Sequence, residues 1–290
     1  MASRLRQGRS VAAPGVVAGR AAQVVRAADR ASRNIRPGGS AVNLSGNTVL
    51  ITGGSSGIGY ALAEAFLAAN SQVIVCARDA DRLLDARARH PSLHTWVCDV
   101  SDEESRRNMF DWVADSFPGL NILVNNAGIQ RDIDFTHGID DFQSGENEIR
   151  TNLEAAIVLC GLFIPVLAKN RQAAIVNVSS GLGFVPSARV PVYSASKAGL
   201  HAYSMAIRKQ LSSTGIQVFE IVPPAVDTEL NPLGRAKRGR FKAGLSAATF
   251  VESVMKKLEG DVLEIGYGAT EDFMRASRAE LDRHFERMNP

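Results

Sequence analysis

The chain has 290 residues, 45% hydrophobic and 22% charged, a globular composition that excludes a fibrous or wholly disordered protein. Its formal charge of +3 is unevenly placed: residues 1–42 hold Arg4, Arg6, Arg9, Arg20, Arg26, Arg30, Arg33 and Arg36 against Asp29 alone, so the body is mildly acidic and gives no reason to expect a nucleic-acid partner. No apolar run reads as approaching the roughly 20 residues of a membrane span, and Cys76, Cys98 and Cys160 lie in apolar runs without CxxC or Cys/His spacing, which reads as buried thiols and no metal site.

Residues 1–42 are rich in Ala, Arg, Gly and Ser. They read either as a solvated extension of a cytoplasmic protein or as an Arg-rich, acid-poor transit peptide, which would make it mitochondrial. From residue 43 to 290 one domain is expected. Strands are expected at Thr48–Thr52, Val73–Ala77, Thr95–Cys98, Ile122–Asn125, Ala174–Val178, Gln217–Val222 and Val262–Ile265. Helical patterns lie between them, over 58–69, 80–89, 103–116, 140–169, 194–213 and 247–259. Strands this apolar are covered on both faces, and strict β/α alternation predicts an α/β, doubly wound, parallel seven-stranded sheet. Leu230–Leu245 breaks the rhythm with Pro232, Gly234, Gly239 and Gly244 beside Arg235, Lys237, Arg238, Arg240 and Lys242. A loop of this length predicts a mobile lid over substrate, 230–245, its basic residues either solvated or attracting an anionic substrate.

The first strand runs into Thr52-Gly53-Gly54-Ser55-Ser56-Gly57-Ile58-Gly59, and a helix follows. Glycines at such a turn let the backbone approach a pyrophosphate, and the helix N-terminus offers N–H groups and a favourable dipole end. The spacing is G-x-x-x-G-x-G rather than G-x-G-x-x-G. After the second strand, Ala77 stands where an NAD-preferring site usually has an acid, and Arg78 follows. A guanidinium can pair with the 2′-phosphate of NADP, so NADP(H) is favoured and NAD(H) remains open, with a surface or helix-capping Arg as the plainer reading. Tyr193 and Lys197 lie four residues apart on one helix face, where an ammonium lowers a phenol's pKa.

The glycine spacing resembles the short-chain dehydrogenase/reductase family, and Val192-Tyr193-Ser194-Ala195-Ser196-Lys197-Ala198-Gly199 is similar to that family's Tyr-x-x-x-Lys box. The resemblance implies a Rossmann-type fold and a nicotinamide cofactor. It implies that Asp99 and Val100 meet the adenine, and that Asn126-Ala127-Gly128, after Asn125, steadies the sheet beside the cofactor. Counting back thirteen residues from Tyr193 gives Ser180 as the catalytic serine, with Ser179 as the competitor. Asn152 in Arg150-Thr151-Asn152-Leu153 matches the family's helix asparagine and would position a water, unless it is a plain mid-helix polar residue. Pro223, Val226 and Thr228 match the nicotinamide turn, although Pro224 stands where the family usually has glycine.

These residues divide the chemistry: Tyr193 as general acid or base, Lys197 tuning it and holding ribose, Ser180 donating to the substrate oxygen. Ser179–Pro186, the Pro223–Thr228 turn and the ending Phe285–Asn289 resemble, more narrowly, DltE-type short-chain oxidoreductases. The expected function is an NADP(H)-dependent oxidoreductase interconverting a small-molecule carbonyl and alcohol. A non-catalytic cofactor-binding scaffold and an epimerase working through a transient ketone stay open. A homodimer or homotetramer is expected from the apolar helices 140–169 and 194–213, with no membrane partner.

Overall fold

Seven short, β-branched-rich segments form the strands: β1 (Thr48–Thr52), β2 (Gln72–Ala77), β3 (His94–Val97), β4 (Ile122–Asn125), β5 (Ala174–Val178), β6 (Gln217–Val222) and β7 (Glu264–Gly266). The computed structural model describes residues 43–290 apart from Arg171, Arg238, residues 240–243 and Asp261. The expectations for residues 1–42, and for the middle of the 230–245 loop, lie outside the described residues. The strands pair in parallel throughout, in the order β3-β2-β1-β4-β5-β6-β7. The parallel seven-stranded Rossmann-type sheet predicted from the sequence is therefore present. Chain direction across the sheet reverses at β1 and β4, and in open α/β sheets that switch point opens the ligand crevice.

Alternate strand residues feed two cores. Val49, Ile51, Val73, Val75 and Phe219 pack on one face with Phe66 of α1 (Gly57–Ala68) and Phe250 and Val254 of α8 (Ala247–Leu258). Leu50, Ile74, Leu123, Ile175 and Val218 pack on the other with Met109 and Val113 of α3 (Glu103–Ser116), Phe163 of α5 (Ala155–Leu167) and Ile207 of α6 (Pro191–Gln210). Each such fully buried side chain stabilises the fold by about 1.5–3 kcal/mol. Helix α2 (Ala80–Arg89) is capped by Asp79, whose side chain accepts from the Arg82 amide. All three cysteines are free and buried.

Three expectations need correction. The helix read over 140–169 is broken: α4 (Asp140–Gln143) stops, and a π-helical turn at Arg150–Glu154 leads into α5. Gly145 lies in the gap against the Arg131 guanidinium, which bonds the carbonyls of Asp141, Phe142 and Glu146 and so draws them out of a helical ladder. The last strand begins at Glu264, not Val262, which is exposed. Arg150–Leu167 is also longer and more apolar than the sequence reading allowed: 18 residues with a mean hydropathy of 1.5, enough by composition to cross a membrane. Its Leu159, Cys160, Phe163 and Leu167 are buried in the sheet-facing core. Beyond the predicted elements lie α7 (Pro232–Lys237), α9 (Ala269–Arg275) and α10 (Arg278–Met288).

Candidate active site

The floor of the crevice is made where β1 and β4 end side by side. Thr52 Oγ1 accepts from the amides of Asn126 and Ala127, both at 3.0 Å. Asn126 returns the contact, its Nδ2 donating to the carbonyls of Thr52 (2.9 Å) and Gly53 (3.1 Å). A Cβ on Gly53 would lie 2.8 Å from the Ala127 Cα, and one on Gly59 would lie 2.4 Å from the Gly53 carbonyl. Only glycine permits these two approaches. Gly53 and Gly57 also hold positive φ, 64° and 57°.

The turn fits a dinucleotide pyrophosphate. Ser56 caps α1 without a side-chain cap bond, and the first turn holds no acid, so its N–H groups and dipole end suit an anion. Ser55 is buried, Ile58 packs on the core, and Gly57 faces Thr228 across the crevice, a Cβ there reaching Thr228 Cγ2 at 3.1 Å. Just after β2, Arg78 forms an ion pair with Glu146, which holds its guanidinium even further up from its ordinary range. Asp99 Oδ1 accepts from the amide and hydroxyl of Ser101, at 2.8 and 2.7 Å, and the Val100 carbonyl accepts from Arg106. Asp99 thus caps a turn, while Asp102 is the cap of α3. Arg82 pairs with Glu229 beyond β6.

The residues of the Tyr-x-x-x-Lys box sit in the first turns of α6, which starts with Pro191 at its N-terminus, where a missing N–H is harmless. Tyr193 and Lys197 are 5% and 3% exposed. The Lys197 ammonium lies 5.7 Å from the Tyr193 ring centroid and donates to the Val178 carbonyl at 2.8 Å. Burial pushes it down to about 8, opposed by Glu220. Gly128 brings the β4 turn into the same place: a Cβ on it would be 3.4 Å from Asn152 Oδ1 and 3.6 Å from Lys197 Nζ.

Asn152 is not a plain mid-helix polar residue. It stands in the π turn, 1% exposed. Its Oδ1 accepts from the Ile129 amide (2.8 Å), and its Nδ2 donates to the Ile129 carbonyl (2.9 Å) and Ser196 Oγ (3.0 Å). Between the two serine candidates the contacts differ. Ser179 donates to the buried Glu220 carboxylate. Ser180 Oγ accepts from the Leu182 amide at 3.1 Å and caps the turn Gly181–Gly183, which leaves its hydrogen to be donated elsewhere. Pro223 accepts from the Gly181 amide at 3.0 Å, and Val226 is buried.

Three polar residues make contacts that the sequence did not suggest. Glu220 interrupts an apolar strand, which was a visible signal, and bonds His201. Glu148, one turn before Asn152, accepts from the Arg131 amide at 3.0 Å while its Oε2 has no partner among the described residues. Asn289 binds the segment ahead of Tyr193, accepting from the Ala188 amide (2.7 Å) and donating to the Pro186 carbonyl (3.1 Å).

The sequence matches the model of the short chain dehydrogenase family over residues 47–238. The chain belongs to the short chain dehydrogenase family. Similarity within it extends further along the chain. An uncharacterized oxidoreductase, DltE, of Bacillus subtilis (strain 168) is 44% identical over 248 residues, covering 86% of this chain and 98% of the relative. A short-chain dehydrogenase from Sphingobium yanoikuyae, solved in complex with NADPH, has a TM-score of 0.67 and 27% identity, covering 82% of this chain and 95% of its own. A short chain dehydrogenase/reductase from Burkholderia phymatum, solved with NAD, has a TM-score of 0.73 and 18% identity, covering 83% and 96%; that likeness is one of fold. As a short chain dehydrogenase of DltE type, the protein is an NAD(P)-dependent oxidoreductase acting on a small molecule.

Proposed function

We propose that the protein interconverts a carbonyl and an alcohol, with NADP(H) preferred over NAD(H). The observation that carries this reading is the buried Lys197 ammonium beside the Tyr193 ring, in contact range of the Gly128 turn that adjoins the glycine-rich crevice. A binding protein has no need of an ammonium held at the edge of its ionisation range. When bound, the nicotinamide supplies the hydride donor or acceptor. Gly53, Ser55, Ser56, Gly57, Ile58 and Gly59 would hold the pyrophosphate, Asp99 and Val100 the adenine, and Asn126, Ala127, Gly128, Pro223, Val226 and Thr228 the nicotinamide half.

Tyr193 gives its phenolic proton to the substrate oxygen in reduction and takes it back in oxidation. Lys197 favours the phenolate by its charge. Ser180, oriented by the Leu182 amide, donates its hydroxyl to the same oxygen as charge develops there. Asn152 works through shape: its amide is engaged by Ile129 and Ser196, so a relay water is left to the main chain of its π turn. Arg78 would hold the 2′-phosphate once it exchanges Glu146 for it. The 230–245 loop would cover substrate; its base is pinched where Asp227 bridges Ser246. The outer faces of α5 and α6 support a homo-oligomer, since Ile157, Ala198, Ala202 and Met205 are exposed there.

The test is a panel of carbonyls and alcohols with both cofactors, followed by nicotinamide absorbance, in wild type and Tyr193→Phe. Turnover should vanish in Tyr193→Phe while NADPH binding, read by protein-to-nicotinamide energy transfer, stays. Near wild-type turnover in that variant would overturn the assignment.

A further inference from the structure

Behind the proton-transfer residues lies a second polar cluster that neither cofactor nor substrate needs to touch. Glu220 stands within β6, a strand otherwise lined by Val218, Phe219, Ile221 and Val222, and is 0% exposed. A carboxylate so buried is strongly unfavourable unless its lone pairs are answered. They are answered from two elements. Ser179, next to Ser180 at the end of β5, donates its hydroxyl to Oε1. His201 Nδ1 lies 2.8 Å from Oε2. His201 is one turn beyond Lys197 on α6, so both side chains share a face. Lys197 in turn donates to Val178, the residue before Ser179. The carboxylate therefore abuts both segments that carry the reacting groups, 178–180 and 193–201.

The charges around this cluster are few. Lys197 is pushed down by burial, and Glu220 is the charge that pushes it back up. His201 is raised, first by its bond to Glu220 and then by the Glu220 and Glu264 charges, against its own burial and Arg208. Glu264 reaches it from β7, and Arg208, two turns along the same helix, is paired with Glu264 at 2.8 Å. Phe184, from the turn after Ser180, covers the imidazole with 4.4 Å between ring centroids. Nothing in this arrangement serves packing alone, because a hydrophobic residue at 220 would fill the strand without two polar partners.

We propose that Glu220 is a positioning residue for proton transfer: its buried carboxylate holds Lys197 as an ammonium beside Tyr193, and Ser179 and His201 hold the carboxylate in place. If Tyr193 and Lys197 are the proton-transfer pair, as proposed above, removal of this negative charge lets Lys197 lose its proton at lower pH, and a neutral amine no longer favours the Tyr193 phenolate.

The first measurement needs no substrate. Lysines labelled with carbon-13 at Cε are titrated by NMR in the intact protein, and Lys197 is assigned by its absence in Lys197→Met. Glu220→Gln keeps the shape and removes the charge; the Lys197 midpoint should fall by about one pH unit, and the His201 imidazole midpoint should fall with it. His201→Asn keeps a donor near the Nδ1 position without a titrating ring, and should leave the Lys197 midpoint at or above its wild-type value. Should Glu220→Gln fail to fold, Glu220→Asp, one methylene shorter, should give a smaller fall. An unmoved Lys197 midpoint in a folded Glu220 variant overturns the inference. The second measurement is the pH dependence of alcohol oxidation, whose rising limb should move to higher pH in Glu220→Gln. A limb that stays while the lysine midpoint moves would overturn the proton-transfer roles of Tyr193 and Lys197, and leave the placement of the charge standing.

Discussion

At the scale of single residues, the proposed preference for NADP(H) turns on one ion pair. Arg78 and Glu146 are each about half exposed, so their pairing contributes little, about 1 kcal/mol at most. A 2′-phosphate held by Arg78, as proposed, would nevertheless displace or share that carboxylate. Glu146→Gln should therefore tighten NADP binding by roughly fivefold and leave NAD binding unchanged, as measured by calorimetric titration with each dinucleotide; equal gains for both would mean Glu146 merely obstructs the crevice. Glu148 makes a different prediction. Burial pushes its carboxyl up to about 7, and its Oε2 lacks a partner among the described residues. An acid whose folded pKa is raised holds a proton that the unfolded chain has already lost, so stability falls as pH rises from about 4.5 to 7 and then levels off. Glu148→Gln escapes that loss. It should match wild type near pH 4.5 and exceed it by about 2 kcal/mol at pH 8, in urea unfolding at the two pH values. Neither residue announced itself in the sequence. Each acts through a partner on another segment, and an acid in a polar loop looks like any solvated acid.

Among the elements, most strands and the helices α2 and α3 lie on the residues expected of them, and breaks within helices were the least legible. A strand buried on both faces must be apolar at nearly every position, so β1, β4, β5 and β6 fall on the residues expected of them. The helix read over 140–169 failed because apolar periodicity does not register what removes a carbonyl from its ladder. Arg131 does so from outside the segment. The last helix was missed although its signal is local, Ser277 and Glu280 forming a capping box at its start. The glycine turn was legible because its demand is steric. A Cβ at Gly59 would meet the Gly53 carbonyl at 2.4 Å and Asn126 Nδ2 at 2.3 Å, and backbone cannot give way cheaply. Gly59→Ala should lower stability by about 2–4 kcal/mol and abolish dinucleotide binding even below its unfolding temperature. Calorimetry with and without NADPH separates the two effects, since a folded Gly59→Ala protein that still gains thermal stability from NADPH would show that the turn tolerates the methyl group.

For the molecule as a whole, the seven-stranded order places Asn152, Tyr193 and Lys197 together from two helices on one side of the sheet, and sequence motifs in the right order implied as much. The apolar helices 140–169 and 194–213 also pointed to a homo-oligomer, without saying which side chains stay uncovered. Ile157 on α5 and Met205 on α6 are 39% and 52% exposed. If these faces meet in a homo-oligomer, as proposed, an acid in each copy is desolvated against its symmetry mate. Met205→Glu should then convert the assembly to monomers in light scattering at micromolar concentration, while a wild type that is already monomeric would remove the basis for the proposal.

The Asn289 contacts have a consequence for how the protein is made and handled. The main chain that leads into Tyr193 is braced at Pro186 and Ala188 by the amide of Asn289, so a brace for the middle of the polypeptide is supplied from 101 to 103 residues further along the chain. During synthesis that brace arrives only after Asn289 has cleared the ribosome, which leaves the approach to Tyr193 unsupported until then. A fusion partner or affinity tag joined directly after Pro290 would pull on the same amide. Attached ahead of residue 43 instead, a tag leaves this brace untouched, and preparations differing only in that choice should differ in Michaelis constant more than in melting temperature.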